Sequence, residues 1–225
     1  MTPRNTRSLR RLASVVLALV SVAFVSPVVA GGQNKLFDPK ETVRTIFWDK
    51  VYFAGGTALW CQSKFLEPGA RITADAIYQV PWLKDAVGCN TREQCESNRE
   101  FQRMSSDLHN LYPAEKRVQM DRRNRMFDKV QTTDPLPEAT CAYKMFGGQM
   151  EPNNEIKGEV ARAILYMHAE YGLKVPGPVN MFIDWSNLDP PGKEEKVRND
   201  LIEKIQGNRN TLIDNPKLAE KYRAR

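Results

Sequence analysis

Four cysteines, Cys61, Cys89, Cys95 and Cys141, limit how this 225-residue chain can fold. What they do depends on where the chain is delivered. Residues 1–11 hold Arg4, Arg7, Arg10 and Arg11 and no acid, and an apolar run from Leu12 to Val25 follows. Pro27 breaks that run, and Val28-Val29-Ala30 supplies the modest side chains a signal peptidase needs. The pattern predicts a cleavable export leader over residues 1–30, cut after Ala30, and a periplasmic or secreted product. The run is shorter than the roughly 20 residues of a bilayer span, so no stable membrane insertion is expected after cleavage. In an oxidising compartment an even number of cysteines points to disulfides. Cys89 and Cys95 are close enough to clip a short loop, which leaves Cys61 and Cys141 to join across the fold. A zinc site is disfavoured, because no C-x-x-C occurs and the chain has only two histidines.

The same leader changes the meaning of the charge. The chain has 33 basic and 27 acidic residues, a formal net charge of +6. Four arginines and no acid lie in the leader, so the remainder carries 29 basic against 27 acidic residues. Bulk charge therefore argues little for nucleic acid, and distribution matters more. Lys116, Arg117, Arg122, Arg123, Arg125 and Lys129 do cluster. A solvated helix face would look the same.

After the leader, the length suits one domain. Residues 31–42 are polar and Gly-rich and read as a flexible mature terminus, residues 43–215 as the folded domain, and residues 216–225 as a basic, frayed tail. Val43 to Trp60 reads either as a helix running into a strand or as a hairpin. Arg71 to Trp82 reads as a short extended segment ended by Pro81. The polar stretch from Lys84 to Gln102 and the turn-rich piece around Asp134, Pro135 and Pro137 read as loops. Ile156, Val160, Ala161, Ile164, Leu165 and Met167 recur at helical spacing, predicting a helix over Glu155 to Tyr171, capped by Asn153 or Asn154 and stopped by Gly172. A second helix is predicted over Glu194 to Ile205, stopped by Gly207. The fold class that follows is α+β, mostly helical.

Few familiar chemistries survive inspection. His168 falls mid-helix, where packing or surface exposure is its default role, and no G-x-S-x-G, P-loop or dinucleotide fingerprint is present. The dense polar constellation is Asp107-Leu108-His109-Asn110-Leu111-Tyr112-Pro113-Ala114, followed by Asp121-Arg122-Arg123-Asn124. Asp107 or Asn110 could cap a turn or hold a hard cation through oxygen, and the capped turn is the simpler reading. Neighbouring arginines would suit phosphates through paired donors.

The strings DLHNLYPA and DRRN resemble signature segments of the endonuclease I family, periplasmic or secreted nucleases with a ββα-metal (His-Me finger) site. Further segments follow in the family's order: Leu59-Trp60-Cys61, Glu151-Pro152, the run from Lys157 to Met167, Trp185 with Asp189-Pro190, Arg198-Asn199, and Gln206 to Asn210. The resemblance implies a single disulfide-clipped domain around a ββα motif and hydrolysis of DNA, with RNA as a further substrate. It also implies a Mg²⁺ or Mn²⁺ ion held by an Asn and a Glu, a His base, and an Arg on the phosphate. Carried over by position, Asn110 matches the metal-binding Asn and Arg92, three residues before Cys95, the phosphate-contacting Arg. His109 matches a supporting residue, and Arg122, Arg123 and Asn124 fall where nucleic acid would be met.

One motif departs from the pattern. The family's Trp-Glu-His-Val-Val-Pro has only Ala76-Ile77-Tyr78-Gln79-Val80-Pro81 as its counterpart. Alignment on the proline puts Tyr78 at the catalytic His and Ile77 at the metal-binding Glu, leaving Asp75 as the nearby carboxylate. Thr211 also replaces the Pro that follows QGNxN. A phenol with pKa near 10 is a poor base beside an imidazole near 6.5, and loss of general-base catalysis removes about 10²–10⁴ in rate. Two functions therefore compete: an active nuclease with altered catalytic residues, and a degenerate member that binds nucleic acid or a protein partner without cutting. A structural, disulfide-clipped domain with no nucleic-acid role is the third.

Overall fold

A computed structural model describes residues 31–131, 141 and 143–223. The predicted leader, the predicted loop around Asp134, Pro135 and Pro137, and residues 224–225 lie outside the described residues.

The core is built on the helix Lys157–Tyr171. Val160, Ala161, Ile164 and Leu165 are buried to 0 % exposure, so apolar burial rather than an N-cap side chain drives this helix. Ile156 occupies the N-cap without a side-chain hydrogen bond, and the predicted cap Asn153 instead accepts from the Glu155 N–H just outside the helix. Gly172, at φ +66°, closes the other end as the sequence predicts, and Gly207, at φ +88°, does the same for the helix Lys193–Gln206. The helix Val179–Leu188 packs along the long one through Met181, Phe182, Ile183 and Trp185.

Against this helical layer lies a two-stranded ribbon. Ile72–Ala76 runs antiparallel to Leu111–Glu115, with Asp75 opposite Tyr112 and Ala76 opposite Leu111. The helix Lys116–Arg122 follows at once, which completes a strand–strand–helix unit. Elsewhere the strands are short: Gly56–Thr57 pairs with Lys64–Phe65, and Gln149–Glu151 lies between Met126–Phe127 and Lys144–Phe146. The fold class is α+β and mainly helical, as the pattern predicts.

Several expectations are corrected. Lys84 to Gln102 is not a loop: it holds the end of the helix Val80–Val87, then Arg92–Ser97 and most of Arg99–Ser105. Thr91 forms a capping box with Gln94, and Asn98 caps the next helix. Pro81 sits in a first helical turn, where a missing N–H costs nothing, rather than ending a strand. Residues 31–42 are not loose, because Gln33 is buried and Pro39–Glu41 begins a helix. That helix runs into a π-helix, Thr42–Val51, and then the Gly56–Thr57 strand, so the helix-then-strand alternative holds. The tail is also ordered through Pro216–Tyr222, a 3₁₀ helix with Ala219 fully buried.

Both disulfides pair as the spacing predicts, Cys89 with Cys95 and Cys61 with Cys141. Among the described residues no helix is long and apolar enough to cross a membrane.

Candidate functional site

The ribbon brings the two halves of the candidate site together. Past Ala76 the Ile77 N–H donates to the Asn110 carbonyl at 2.9 Å, so Ile77 and Tyr78 lie against the 3₁₀ turn Leu108–Asn110. Asn110 is wholly buried. Its Oδ1 accepts from the Tyr78 N–H at 2.7 Å and its Nδ2 donates to the Tyr78 carbonyl at 2.9 Å. Both polar ends of the amide therefore serve the backbone of Tyr78.

Asp107 is the cap that the bland reading of this string favours. Its Oδ1 accepts from the His109 N–H and from Gln206 Nε2, each at 2.9 Å. Its Oδ2 accepts from the hydroxyls of Tyr166 and Tyr171. His109 packs on the Tyr166 ring at 4.8 Å and sets Nε2 at 3.1 Å from the Asn208 carbonyl. A carbonyl can only accept, so Nε2 carries the proton and Nδ1 is left buried without a hydrogen-bond partner among the described residues. Burial pushes the imidazole down to about 4, despite the opposing pull of Asp107.

Tyr78 turns inward as well. Its hydroxyl donates to the Lys174 carbonyl at 3.0 Å, and its ring meets Trp82 edge-on at 5.4 Å. Burial, reinforced by Asp85, pushes the phenol up to about 12, the direction opposite to what a base requires. Ile77 is fully buried and apolar. Asp75 accepts from Arg122 Nε at 2.9 Å, Trp60 Nε1 at 3.0 Å and Gln119 Nε2 at 3.3 Å. Arg122, at 1 % exposure, also donates to the Ala76 carbonyl and lies over the Trp60 ring. The expectation that Arg122 meets nucleic acid is corrected: it bolts the helix Lys116–Arg122 to the ribbon through a buried ion pair.

A hard cation needs oxygen donors that face one shared space. Asn110 Oδ1 faces the Tyr78 N–H, the Asp75 carboxylate faces Arg122 and Trp60, and the Ile77 side chain offers no oxygen. Among the described residues no three His, Cys, Asp or Glu side chains gather as ligands either. As arranged, these residues do not fit a divalent ion.

Beside the ribbon opens a cavity of about 1150 Å³. Ala74, Ala76, Leu83, Phe101 and Leu111 give it an apolar floor, and Lys40, Lys84, Arg92, Arg123 and Asn124 line it with polar groups. Arg92 Nε and Lys40 Nζ share the Glu96 carboxylate at 2.8 and 3.2 Å, two cations on one anion. Lys84 and Arg123 form no ion pair among the described residues. Asp75 also lines the cavity, but Arg122 already offsets its charge. Asp38 and Glu96 are the other acids of the lining, so four cations stand against two carboxylates not offset by Arg122, a small excess of positive charge. Arg123 holds φ +42° and ψ −125°, a backbone conformation that suits glycine.

Of the residues singled out from the sequence, Arg92, Arg123, Asn124 and Asp75 share this cavity. Tyr78, His109, Asn110 and Arg122 turn into the protein instead. Lys40 and Lys84 escape a reading of motifs: Lys40 falls in the presumed flexible terminus, and Lys84 opens the stretch read as a loop. An N-cap signal, Asp38 ahead of Pro39, could have marked Lys40 as helical.

A family model described as Endonuclease I matches residues 88–217. A periplasmic deoxyribonuclease of Aeromonas hydrophila is 35 % identical over 127 residues, which cover 55 % of this chain and 53 % of the relative. An extracellular ribonuclease of Bacillus amyloliquefaciens is 34 % identical over 134 residues, 51 % of this chain and 45 % of the relative. An Endonuclease-1 of Buchnera aphidicola is 30 % identical over 125 residues, 54 % of this chain and 50 % of the relative. The chain spans about half the length of the curated relatives it matches. The family match alone takes in more than half of the 225 residues, and with the strand–strand–helix unit and the paired cysteines in place, the chain belongs to the endonuclease I family.

Proposed function

We propose that this protein is an exported, nucleic-acid-binding member of the endonuclease I family in which the metal route to phosphodiester hydrolysis is closed. The observation that carries this reading is the commitment of the Asn110 amide to the backbone of Tyr78. The side chain that would hold Mg²⁺ or Mn²⁺ holds the main chain instead. Tyr78, in the position of the base, keeps its proton through neutral pH.

Binding rests on the cavity beside the ribbon. Arg92, Lys84, Arg123 and Lys40 present positive charge there, and each phosphate neutralised releases counterions from a DNA or RNA strand. The relatives' names include deoxyribonuclease and ribonuclease, which supports either polymer as the ligand. Export is supported by the leader pattern of residues 1–30 and by similarity to proteins named periplasmic or extracellular.

A second reading, retained nuclease activity, is favoured by the fact that the relatives carry nuclease names. One experiment separates the two. Purified mature protein is incubated with supercoiled plasmid and Mg²⁺ or Mn²⁺, with and without EDTA, and binding is followed by gel shift over a salt series. Binding that weakens with salt while the plasmid stays intact is the expected result. Degradation that EDTA stops would overturn the proposal in favour of the enzyme. Intact plasmid with no binding would overturn both and favour a protein partner.

A further inference from the structure

Gln33 is buried to 0 % exposure and is held from every side. Its Nε2 donates to the carbonyls of Leu36 and Arg103 at 2.7 and 2.6 Å, and its Oε1 accepts from the N–H groups of Lys35 and Leu36. Its own N–H donates to the Tyr171 hydroxyl at 3.1 Å, and its carbonyl accepts from Arg103 at 3.1 Å. The two residues before it run close against the end of the helix Lys157–Tyr171. A Cβ on Gly32 would lie 2.4 Å from the Tyr171 ring, and one on Gly31 would lie 2.5 Å from Glu170 Oε2. The anchored segment therefore delivers the α-carbon of Gly31 to the Glu170 carboxylate.

Glu170 is an acid in an unfavourable place. It lies in the last turn of the helix Lys157–Tyr171, where the helix dipole disfavours negative charge. Burial, and then the nearby Asp107, push its pKa up. The Gly32 N–H favours the charged form, but the cationic influence on it among the described residues is the through-space pull of Lys221, the weakest of these effects. It forms no ion pair among the described residues.

We infer that Glu170 is a binding site for the mature chain's own α-ammonium group, created at Gly31 when the leader is removed. The inference rests on cleavage after Ala30 and is independent of the nucleic-acid reading. Hydrolysis of the Ala30–Gly31 bond consumes one water, leaves a carboxylate on Ala30 and frees an amine on Gly31. That amine takes up a proton below its ordinary pKa of about 7.7–8.0. The nitrogen is one bond from the α-carbon already seated at Glu170, so the charge appears beside a carboxylate that the Gly32 N–H meets but that forms no ion pair among the described residues. In the precursor the same nitrogen is an uncharged amide. Maturation thus adds an ion pair that ties the segment before Gln33 to the end of the central helix, a case of terminal-amine capture.

The test compares the full mature chain beginning at Gly31 with a chain that retains residues 27–30, each with and without Glu170→Gln. The Gly31 chain should melt about 2–4 °C higher than the extended one, and Glu170→Gln should erase that difference. The Gly31 amine, followed by ¹⁵N NMR, should titrate above the ordinary range in the wild type and within it in the variant. Equal melting of the two wild-type chains, or a difference that survives Glu170→Gln, would overturn the inference. N-terminal sequencing of the exported protein that begins at any residue other than Gly31 would overturn it through its premise.

Discussion

Asn110 holds Tyr78 by the main chain, with Oδ1 at 2.7 Å from its nitrogen and Nδ2 at 2.9 Å from its oxygen. The two residues are 32 positions apart, and their pairing locks the exit of one ribbon strand to the entry of the other. Asn110→Ala should therefore act on stability. It strands a buried donor and a buried acceptor, each at a cost of about 1–3 kcal/mol, so a loss of about 2–6 kcal/mol is expected. Urea denaturation followed by circular dichroism measures it. A wild-type midpoint accompanied by lost metal affinity would mean that Asn110 is a ligand after all.

Ile77 gives the complementary test. It is fully buried among apolar neighbours at the position where a metal-binding carboxylate would stand. Ile77→Glu should destabilise by several kcal/mol, because a carboxylate would enter a dry site with no cation waiting for it. Calorimetric titration with Mn²⁺ should show no binding by the variant. Micromolar Mn²⁺ binding, in a variant that stays folded, would argue that the donor set is only one residue short.

His109 should make the fold acid-sensitive in a defined window. Its folded pKa is near 4, against an ordinary 6.5, so below pH 6.5 the unfolded chain binds the proton that the folded chain refuses. Its contribution to stability is full above about pH 6.5, falls as the pH drops toward 4, and levels off below that. The drop should be on the order of 3 kcal/mol for the shift involved. Denaturation midpoints of the wild type and His109→Gln, compared at pH 7, 5.5 and 4.5, should diverge in this way. Parallel curves would show that the imidazole takes no part.

How much of this could be read from the sequence depended on what each residue type reveals locally. The helix Lys157–Tyr171 was legible because Val160, Ile164 and Leu165 repeat at helical spacing and Gly172 stops it; the structure begins it two residues later than the pattern suggests. The Cys89–Cys95 pair was legible from its separation of 6. The helices beside that disulfide were hidden, since they are short, polar and stabilised by caps at Thr91 and Asn98 rather than by an apolar stripe. Arg122 and Arg123 adjoin and look alike on paper, yet a buried carboxylate 47 positions away claims the first and leaves the second at the cavity. Charge clustering along a chain cannot separate such cases, because the partner that decides them is supplied by tertiary contact. Tyr78 and Ile77 stand out in the sequence as misfits for catalysis, and both are buried, the Tyr78 hydroxyl on the Lys174 carbonyl.

Arg123 joins backbone strain to a position on the cavity wall. A non-glycine residue at φ +42° and ψ −125° costs about 1–3 kcal/mol, and such strain tends to persist where a side chain is needed. Arg123→Gly should thus move two properties in opposite directions. Stability should rise by about 1 kcal/mol, the relief of strain outweighing the greater freedom of glycine in the unfolded chain. Affinity for a DNA or RNA strand should fall, and the slope of log affinity against log salt should become shallower by about 0.7–0.9, the share of one phosphate contact. Thermal melts and a salt series of gel shifts on the same preparation measure both. A stabilised variant that binds with an unchanged salt slope would remove Arg123 from the nucleic-acid surface and leave Arg92, Lys84 and Lys40 to account for binding.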